Sequence, residues 1–96
     1  MRNYKVYRYT FPNGKIYIGI TKQTMTDRHS SGYYHNSEMQ KAIWEYGWSN
    51  IITEVLFEGL TKKEAEKKEM TLIRKFKSSD SSVGYNILIG RKKVHA

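Results

Sequence analysis

A turn signal between two runs of aromatic and β-branched residues constrains the start of this chain to a β-hairpin. The runs cover residues 4–10 and 15–21, and Pro12-Asn13-Gly14 lies between them. Proline presets φ for the first turn position, asparagine tolerates the second, and glycine accepts the left-handed conformation at the third. The sequence therefore predicts a three-residue hairpin loop.

The loop length decides which side chains share a face of the hairpin, because strand side chains alternate between two faces. With this loop, Tyr9 lies opposite Tyr17 and Tyr7 lies opposite Gly19. The three tyrosines then share one face, and four aliphatic residues share the other: Val6, Ile16, Ile18 and Ile20. Two interpretations of the tyrosines stay open. They are cross-strand aromatic pairs that stabilise the hairpin by about 0.2–1 kcal/mol each, or they are a catalytic surface.

The charge of the chain favours an anionic partner. Its 96 residues carry 17 Lys+Arg against 9 Asp+Glu, a formal net charge of +8. This length predicts one domain, 1–90, followed by a basic flexible tail, 91–96. Such a charge is typical of nucleic-acid binders, although solvated lysine-rich faces produce it too.

Two classes of protein are disfavoured by what the sequence lacks. The chain has no cysteine, so disulfides and thiolate metal sites are excluded, which fits a reducing cytoplasm. No stretch approaches the roughly 20 apolar residues of a membrane span, and the first residues form no apolar run of an export signal. We therefore expect no membrane partner and a cytoplasmic protein.

Capping signals predict two helices after the hairpin. Thr24 or Thr26 begins a short helix, which the serine- and glycine-containing stretch after it ends. Ser37 and Gln40 form a capping box for a second helix, and Gly47 closes it.

A strand and a third helix follow. The apolar run 51–57 predicts a buried strand, and 84–90 predicts a short extended segment. Between them, Thr61 and Glu64 form a capping box for a helix that extends to about Phe76. This order predicts an α+β fold in which a small antiparallel β-sheet, the hairpin plus a further strand, packs with helices.

Glu69 lies among the apolar residues of the third predicted helix. At about 100° per residue it falls roughly 40° from Ala65, between Ala65 and Ile73. Desolvating an unpaired carboxylate is costly, so Glu69 forms an ion pair, coordinates a metal ion or lies at the edge of a cleft.

Metal-assisted phosphodiester hydrolysis needs residue types that this chain contains, namely the tyrosines, the glutamate, the arginine after the hairpin and the histidine-rich loop. A carboxylate holds a hard cation such as Mg²⁺, which neutralises developing charge. A guanidinium clamps a phosphate through two hydrogen bonds, and a phenol transfers a proton from the attacking water.

The hairpin carries a family resemblance. Lys5-Val6-Tyr7 followed by Tyr17-Ile18-Gly19 resembles the GIY-YIG nuclease module, with Lys5 and Val6 where the family usually has glycine and isoleucine. The resemblance covers about 4–88. The family's two tyrosines, arginine, glutamate and asparagine correspond to Tyr7, Tyr17, Arg28, Glu69 and Asn86.

The resemblance also implies a role for each of these residues. Tyr7 is the general base, acting directly or through water, and Tyr17 positions the water or the phosphate. Arg28 stabilises the phosphate, and Asn86 braces the site. Glu69 ligates one Mg²⁺ or Mn²⁺ ion.

A further position departs from the family pattern. Many members carry a histidine one helical turn after the arginine, where this chain has Gly32. His29, Tyr34 or His35 takes its place, and His35 is our catalytic candidate because its loop is able to return it to the cleft.

Four residues are predicted to contact DNA: Lys5, Arg8, Lys22 and Tyr34. Trp44 and Trp48 either stack on bases or cover the flank of the core, and we favour the second interpretation.

The resemblance implies an endonuclease that hydrolyses DNA phosphodiester bonds with weak sequence specificity. Specificity then comes from a separate DNA-recognition domain or protein, and the distribution of the family suggests a prokaryotic or phage origin. The alternative is a non-catalytic nucleic-acid-binding module that kept the fold.

Overall fold

The computed structural model describes residues 2–89 and 92–93 of the chain. Its elements in chain order are β1 (Tyr4–Thr10), β2 (Ile16–Thr21), α1 (Met25–Ser31), α2 (Ser37–Tyr46), a single 3₁₀ turn (Trp48–Asn50), β3 (Ile52–Leu60), α3 (Lys62–Phe76), β4 (Leu88–Ile89) and β5 (Lys92–Lys93). In the predicted basic tail, 91–96, Lys92–Lys93 form β5 and pair antiparallel with β4. The rest of that tail lies outside the described residues.

The hairpin has the predicted register. Tyr9 pairs with Tyr17 and Tyr7 pairs with Gly19. The loop is closed by two backbone hydrogen bonds, from the Phe11 amide to the Lys15 carbonyl at 2.9 Å and from the Gly14 amide to the Phe11 carbonyl at 2.8 Å. Gly14 has φ of 86°, the left-handed conformation that the turn signal requires.

The two faces of the hairpin are buried in two separate clusters. β1 lies at the centre of a three-stranded antiparallel sheet of order β2-β1-β3, which confirms the α+β prediction. We call the side of Tyr7, Tyr9 and Tyr17 the tyrosine face, and it packs against α2 and the loop before it. The opposite side is the aliphatic face, where the residues in contact are Val6, Ile18, Ile20 and, from α3, Ala65 and Ile73.

The third strand is exposed, contrary to the prediction of a buried strand at 51–57. Ile51 is buried, but Ile52, Val55 and Phe57 are 60%, 41% and 39% exposed. β3 forms one edge of the sheet, and α3 packs mainly over β1 and β2. An apolar run indicates a strand, but it does not say whether helices cover that strand.

The second helix has the predicted range but a different cap. Asn36, not Ser37, is the N-cap, and its Oδ1 accepts a hydrogen bond from the Met39 amide at 3.3 Å. Gln40 does not complete a capping box, because its Oε1 accepts a hydrogen bond from the Tyr33 amide at 2.7 Å. The end of the preceding loop is thereby attached to α2.

The other two helices begin at predicted caps. Thr24 caps α1 by accepting a hydrogen bond from the Asp27 amide at 3.2 Å. The capping box of Thr61 and Glu64 is confirmed, with hydrogen bonds of 2.9 and 3.1 Å. α3 has 15 residues, and no helix in the described part of the chain is long and apolar enough to cross a membrane.

Candidate active site at the tyrosine face

Three buried phenols share a hydrogen-bond network on the tyrosine face. The Tyr33 hydroxyl lies 2.7 Å from the Tyr7 hydroxyl and 2.7 Å from the Tyr9 hydroxyl. Tyr17 belongs to the same cluster, with its ring centroid 6.3 Å from that of Tyr7 and 5.5 Å from that of Tyr33. The Tyr33 oxygen therefore gives two buried hydroxyl groups a shared hydrogen-bond partner.

Tyr33 is the site residue that the sequence reasoning missed. Its side chain turns inward because two features of the surrounding loop fix the direction of the backbone. Gly32 ends α1 with φ of 75°, and the Asn36 amide donates a hydrogen bond to the Tyr33 carbonyl at 2.9 Å. Gly32 and the capping residue Asn36 were the available sequence signals, but neither identifies by itself which of three consecutive ring residues enters the core.

Arg28 lies beneath this loop, on the last turn of α1, and it is buried. Its guanidinium carbon is 4.0 Å from the centroid of the Tyr33 ring, and its Nη1 donates a hydrogen bond to the Gly32 carbonyl at 3.2 Å. Its Nε is buried and has no hydrogen-bond partner within the described residues. Arg28 therefore offers a donor, in addition to its charge, to a group that enters the cluster.

Glu69 occupies the inner side of α3, as predicted, and is 1% exposed. Its negative charge contributes to raising the pKa of Tyr7 and of Tyr17, so the carboxylate acts on one phenol of each hairpin strand. Residues from β1, β2, α1 and α3 are thus electrostatically coupled in one cluster.

Burial makes the phenols of this cluster harder to ionise by raising the pKa of each. Desolvation is the largest cause of the raised pKa of Tyr7, and the hydrogen bond from Tyr33 and the positive charge of Arg28 oppose it only in part. Desolvation also raises the pKa of Tyr9, Tyr17 and Tyr33.

The structure shows no preformed metal site among the described residues. Within residues 2–89 and 92–93 there is no group of three or more acidic, histidine or cysteine side chains that could hold a metal ion. A hard cation at Glu69 would take its other ligands from water and substrate oxygens. Because Glu69 is buried, a hydrated ion reaches it only after neighbouring side chains move.

Gly19 allows the Tyr7 ring to lie directly on β2. A Cβ atom at position 19 would overlap with Cζ and Oη of Tyr7 and would lie 2.9 Å from Cε2 of Tyr17. The absence of a side chain at this position therefore sets the distance between the two tyrosines.

Asn86 braces the strand between Tyr17 and Gly19. Its Nδ2 donates to the Ile18 carbonyl at 2.7 Å, and its Oδ1 accepts from the Ile18 amide at 2.9 Å and from Ser78 Oγ at 2.7 Å. The Asn86 side chain therefore forms with Ile18 the two backbone hydrogen bonds that a neighbouring strand would form.

His35 does not return to the tyrosines. It is exposed and lines another groove, of about 380 Å³, together with Tyr85 and Asn86. Tyr33 takes the inward place, since the turn that leads to the Asn36 cap directs the residues between them outward.

Of the other two alternatives for this position, His29 lies closer to the cluster. Its ring centroid is 5.5 Å from that of Tyr9, and it stacks on Trp48 at 3.9 Å with an interplanar angle of 6°. Burial and the charge of Arg28 lower the pKa of His29. Tyr34 is 71% exposed.

The predicted DNA contacts lie on different parts of the surface. Lys5 Nζ donates to the Gln23 carbonyl at 2.9 Å, and Lys22 is exposed close by. Arg8 lies on the aliphatic side of β1 and forms a salt bridge with Glu54 at 2.8 Å, so it points away from the tyrosines.

The two tryptophans have different environments. Trp48 packs on the core as predicted, with its ring centroid 5.1 Å from that of Tyr9. Trp44 is 69% exposed, and the prediction that it covers the core is wrong for this residue.

Comparison of the chain with protein-family models, with curated proteins and with solved structures finds no match. Conclusions about function therefore depend on the geometry of the site.

Proposed function

We propose that this chain is a GIY-YIG-type nuclease domain that hydrolyses DNA phosphodiester bonds with one Mg²⁺ or Mn²⁺ ion. The observation that supports it is that four buried residues from separate elements lie near one another: Tyr7, Tyr17, Arg28 and Glu69. These residues are far apart in sequence, and both charged groups act on both phenols. A formal net charge of +8 complements the DNA backbone.

Arg28 is the phosphate-binding residue of the proposal. Its buried Nε lacks a partner among the described residues, and a guanidinium pairs with phosphate oxygens through two parallel hydrogen bonds. In a desolvated cluster such bonds are stronger than at the surface, so Arg28 would stabilise the charge that develops on the phosphate.

Glu69 would hold the divalent ion, which supplies charge neutralisation and Lewis acidity when bound. Tyr17 would orient the attacking water or the phosphate. Tyr7 would act as general base in its phenolate form, after its own hydroxyl proton has been lost to solvent; burial opposes that ionisation and the nearby positive charge of Arg28 favours it. Asn86 would hold the β2 backbone that carries Tyr17.

Entry of DNA requires the cluster to open. Tyr7, Tyr17 and Glu69 are each buried, and the segment 32–36 covers Tyr7 through Tyr33. The proposal therefore includes a movement of this segment when substrate binds.

The proposed partners are DNA and a separate DNA-recognition domain or protein. The proposed site contacts a phosphate through Arg28, and phosphate contacts carry no sequence information. We expect weak and salt-dependent DNA binding by the isolated domain. We also propose a cytoplasmic location and a prokaryotic or phage origin, which follow from the family resemblance alone.

The test is conversion of supercoiled plasmid to nicked or linear DNA with Mg²⁺, Mn²⁺ or EDTA. We expect metal-dependent cleavage by the wild type and a loss of at least about 100-fold in Glu69→Gln and Tyr7→Phe. Glu58→Gln is the matched control, because Glu58 is exposed and lies outside the proposed site. It should cleave normally.

One observation favours the alternative of a non-catalytic nucleic-acid-binding module, namely the burial of every phenol in the cluster. That alternative predicts a wild type that retards DNA in a gel but never cuts it with either metal. It also predicts that Glu69→Gln alters the stability of the domain and leaves DNA affinity unchanged.

A further inference from the structure

A groove of about 370 Å³ with aromatic walls lies beside the tyrosine cluster, between the end of α1 and the second half of α2. We call it the aromatic groove. Its ring-bearing and apolar lining residues are His29, Tyr34, Ile43, Trp44 and Trp48.

Two large rings at the mouth of the groove are exposed to solvent. Trp44 and Tyr34 are 69% and 71% exposed, and their ring centroids are 6.2 Å apart at an interplanar angle of 60°. Neither ring belongs to the core clusters. Exposed aromatic residues grouped around a groove are typical of a binding surface.

The position of Tyr34 depends on Gly32. A Cβ atom at Gly32 would lie 2.5 Å from Cε2 of Tyr34, so the ring occupies the place of a side chain at position 32. The positive φ of Gly32 also disfavours any other residue there. The sequence thus places a large exposed ring at this point by means of a specific backbone conformation.

The charges around the groove are compatible with an anionic ligand. The lining residues include no carboxylate, lysine or arginine, and the chain as a whole is strongly basic. Arg28 lies directly behind the wall, since its guanidinium donates to the carbonyl of Gly32, a lining residue.

The groove also adjoins the candidate active site. Trp48 lines the groove, and its ring centroid is 5.1 Å from that of Tyr9 and 6.3 Å from that of Tyr33. A ligand that contacts Trp48 in the groove is therefore one side chain away from the tyrosine cluster.

We infer that the aromatic groove binds an unpaired base of a DNA strand by stacking on Trp44 and Tyr34. Stacking on aromatic side chains beside a positive charge is the general way in which proteins hold single-stranded nucleic acid. The inference rests on the proposed function for the identity of the substrate as DNA. It adds that this substrate is single-stranded or locally unpaired next to the scissile phosphate.

The first test is fluorescence anisotropy in EDTA with a labelled oligo-dT strand and a labelled duplex of equal length. We expect tighter binding of the single strand and a loss of about 5- to 100-fold for it in Trp44→Ala and in Tyr34→Ala. Duplex affinity should stay within about twofold, since duplex binding depends on backbone contacts. Trp44→Phe should keep most of the affinity because it retains a ring.

Phe57→Ala is the matched control, because it removes another exposed ring that lies on β3, outside the groove. Far-ultraviolet circular dichroism should confirm that each variant folds. Equal losses for single strand and duplex, or no loss in either groove variant, overturn the inference. So does a dimer that Trp44→Ala dissociates without changing oligo-dT affinity, because a second copy is then the occupant.

The outcomes also separate this inference from the proposed function. Plasmid cleavage without a preference for single strands overturns the inference and leaves the nuclease proposal standing. A single-strand preference that needs Trp44 and Tyr34, without cleavage in either metal, supports the groove and refutes the nuclease.

Discussion

The two faces of the hairpin bury similar numbers of side chains by different means. The aliphatic face packs Val6, Ile18 and Ile20 against α3, and its side chains need nothing but contact. The tyrosine face packs Tyr7, Tyr9 and Tyr17, and their hydroxyls need partners once they leave water.

This difference explains where the candidate site lies. Tyr33 supplies hydrogen bonds on one face, and Glu69 projects from the helix that covers the other, yet both act on Tyr7. The candidate site therefore combines the polar cluster of the tyrosine face with a carboxylate from α3, the helix that covers the aliphatic face.

The largest expected difference between the faces is their response to alkali. Above about pH 10 the unfolded chain loses phenolic protons that Tyr7, Tyr9, Tyr17 and Tyr33 retain in the folded state, because burial raises each pKa. The folded state then binds more protons, so the free energy of unfolding falls as pH rises. Four groups give a slope of about 5 kcal/mol per pH unit.

Urea unfolding followed by circular dichroism from neutral pH to about pH 11 measures this slope. Stability should be constant below the ordinary tyrosine pKa of about 10 and should collapse above it. Four phenols that titrate normally in a domain that stays folded would show that the tyrosine face is accessible to solvent.

A smaller effect is expected from a cavity in the aliphatic face. Ile73 is buried there, and Ile73→Ala should lower the free energy of unfolding by about 2–5 kcal/mol. The matched control is Ile52→Ala on β3, which is 60% exposed and should cost no more than about 0.5 kcal/mol. Similar losses at both positions would mean that β3 is covered in solution.

The smallest effect is expected from one hydroxyl on the tyrosine face. Tyr33→Phe keeps the ring and leaves the Tyr7 and Tyr9 hydroxyls without their shared partner, at a cost of about 1–3 kcal/mol. Tyr34→Phe removes an exposed hydroxyl and should be neutral. If both variants have wild-type urea midpoints, the tyrosine face is held by ring packing alone.

Periodic patterns predicted the parts of this fold that repeat. The pairing of Tyr9 with Tyr17 followed from the length of the turn, and the inward direction of Glu69 followed from the helical period. In both cases a single repeat determines which side a residue faces.

The parts that depend on neighbours were not predictable from such patterns. The apolar residues of β3 gave no sign of lying at an exposed edge, because covering a strand is a property of the helices around it. The choice of Tyr33 over His35 depended on the positive φ of Gly32 and the cap at Asn36, two local events in a loop without a period.

The position of the segment after α3 has a consequence for how molecules of this protein meet one another. The Ile16 amide donates to the Val83 carbonyl at 3.1 Å, the Tyr85 amide donates to the Ile16 carbonyl at 2.9 Å, and Asn86 occupies both polar groups of Ile18. The outer edge of β2 therefore offers no free backbone ladder at these residues to a strand from another chain. The segment that holds β2 in place at the site therefore also protects this edge of the sheet from pairing with a strand of another molecule.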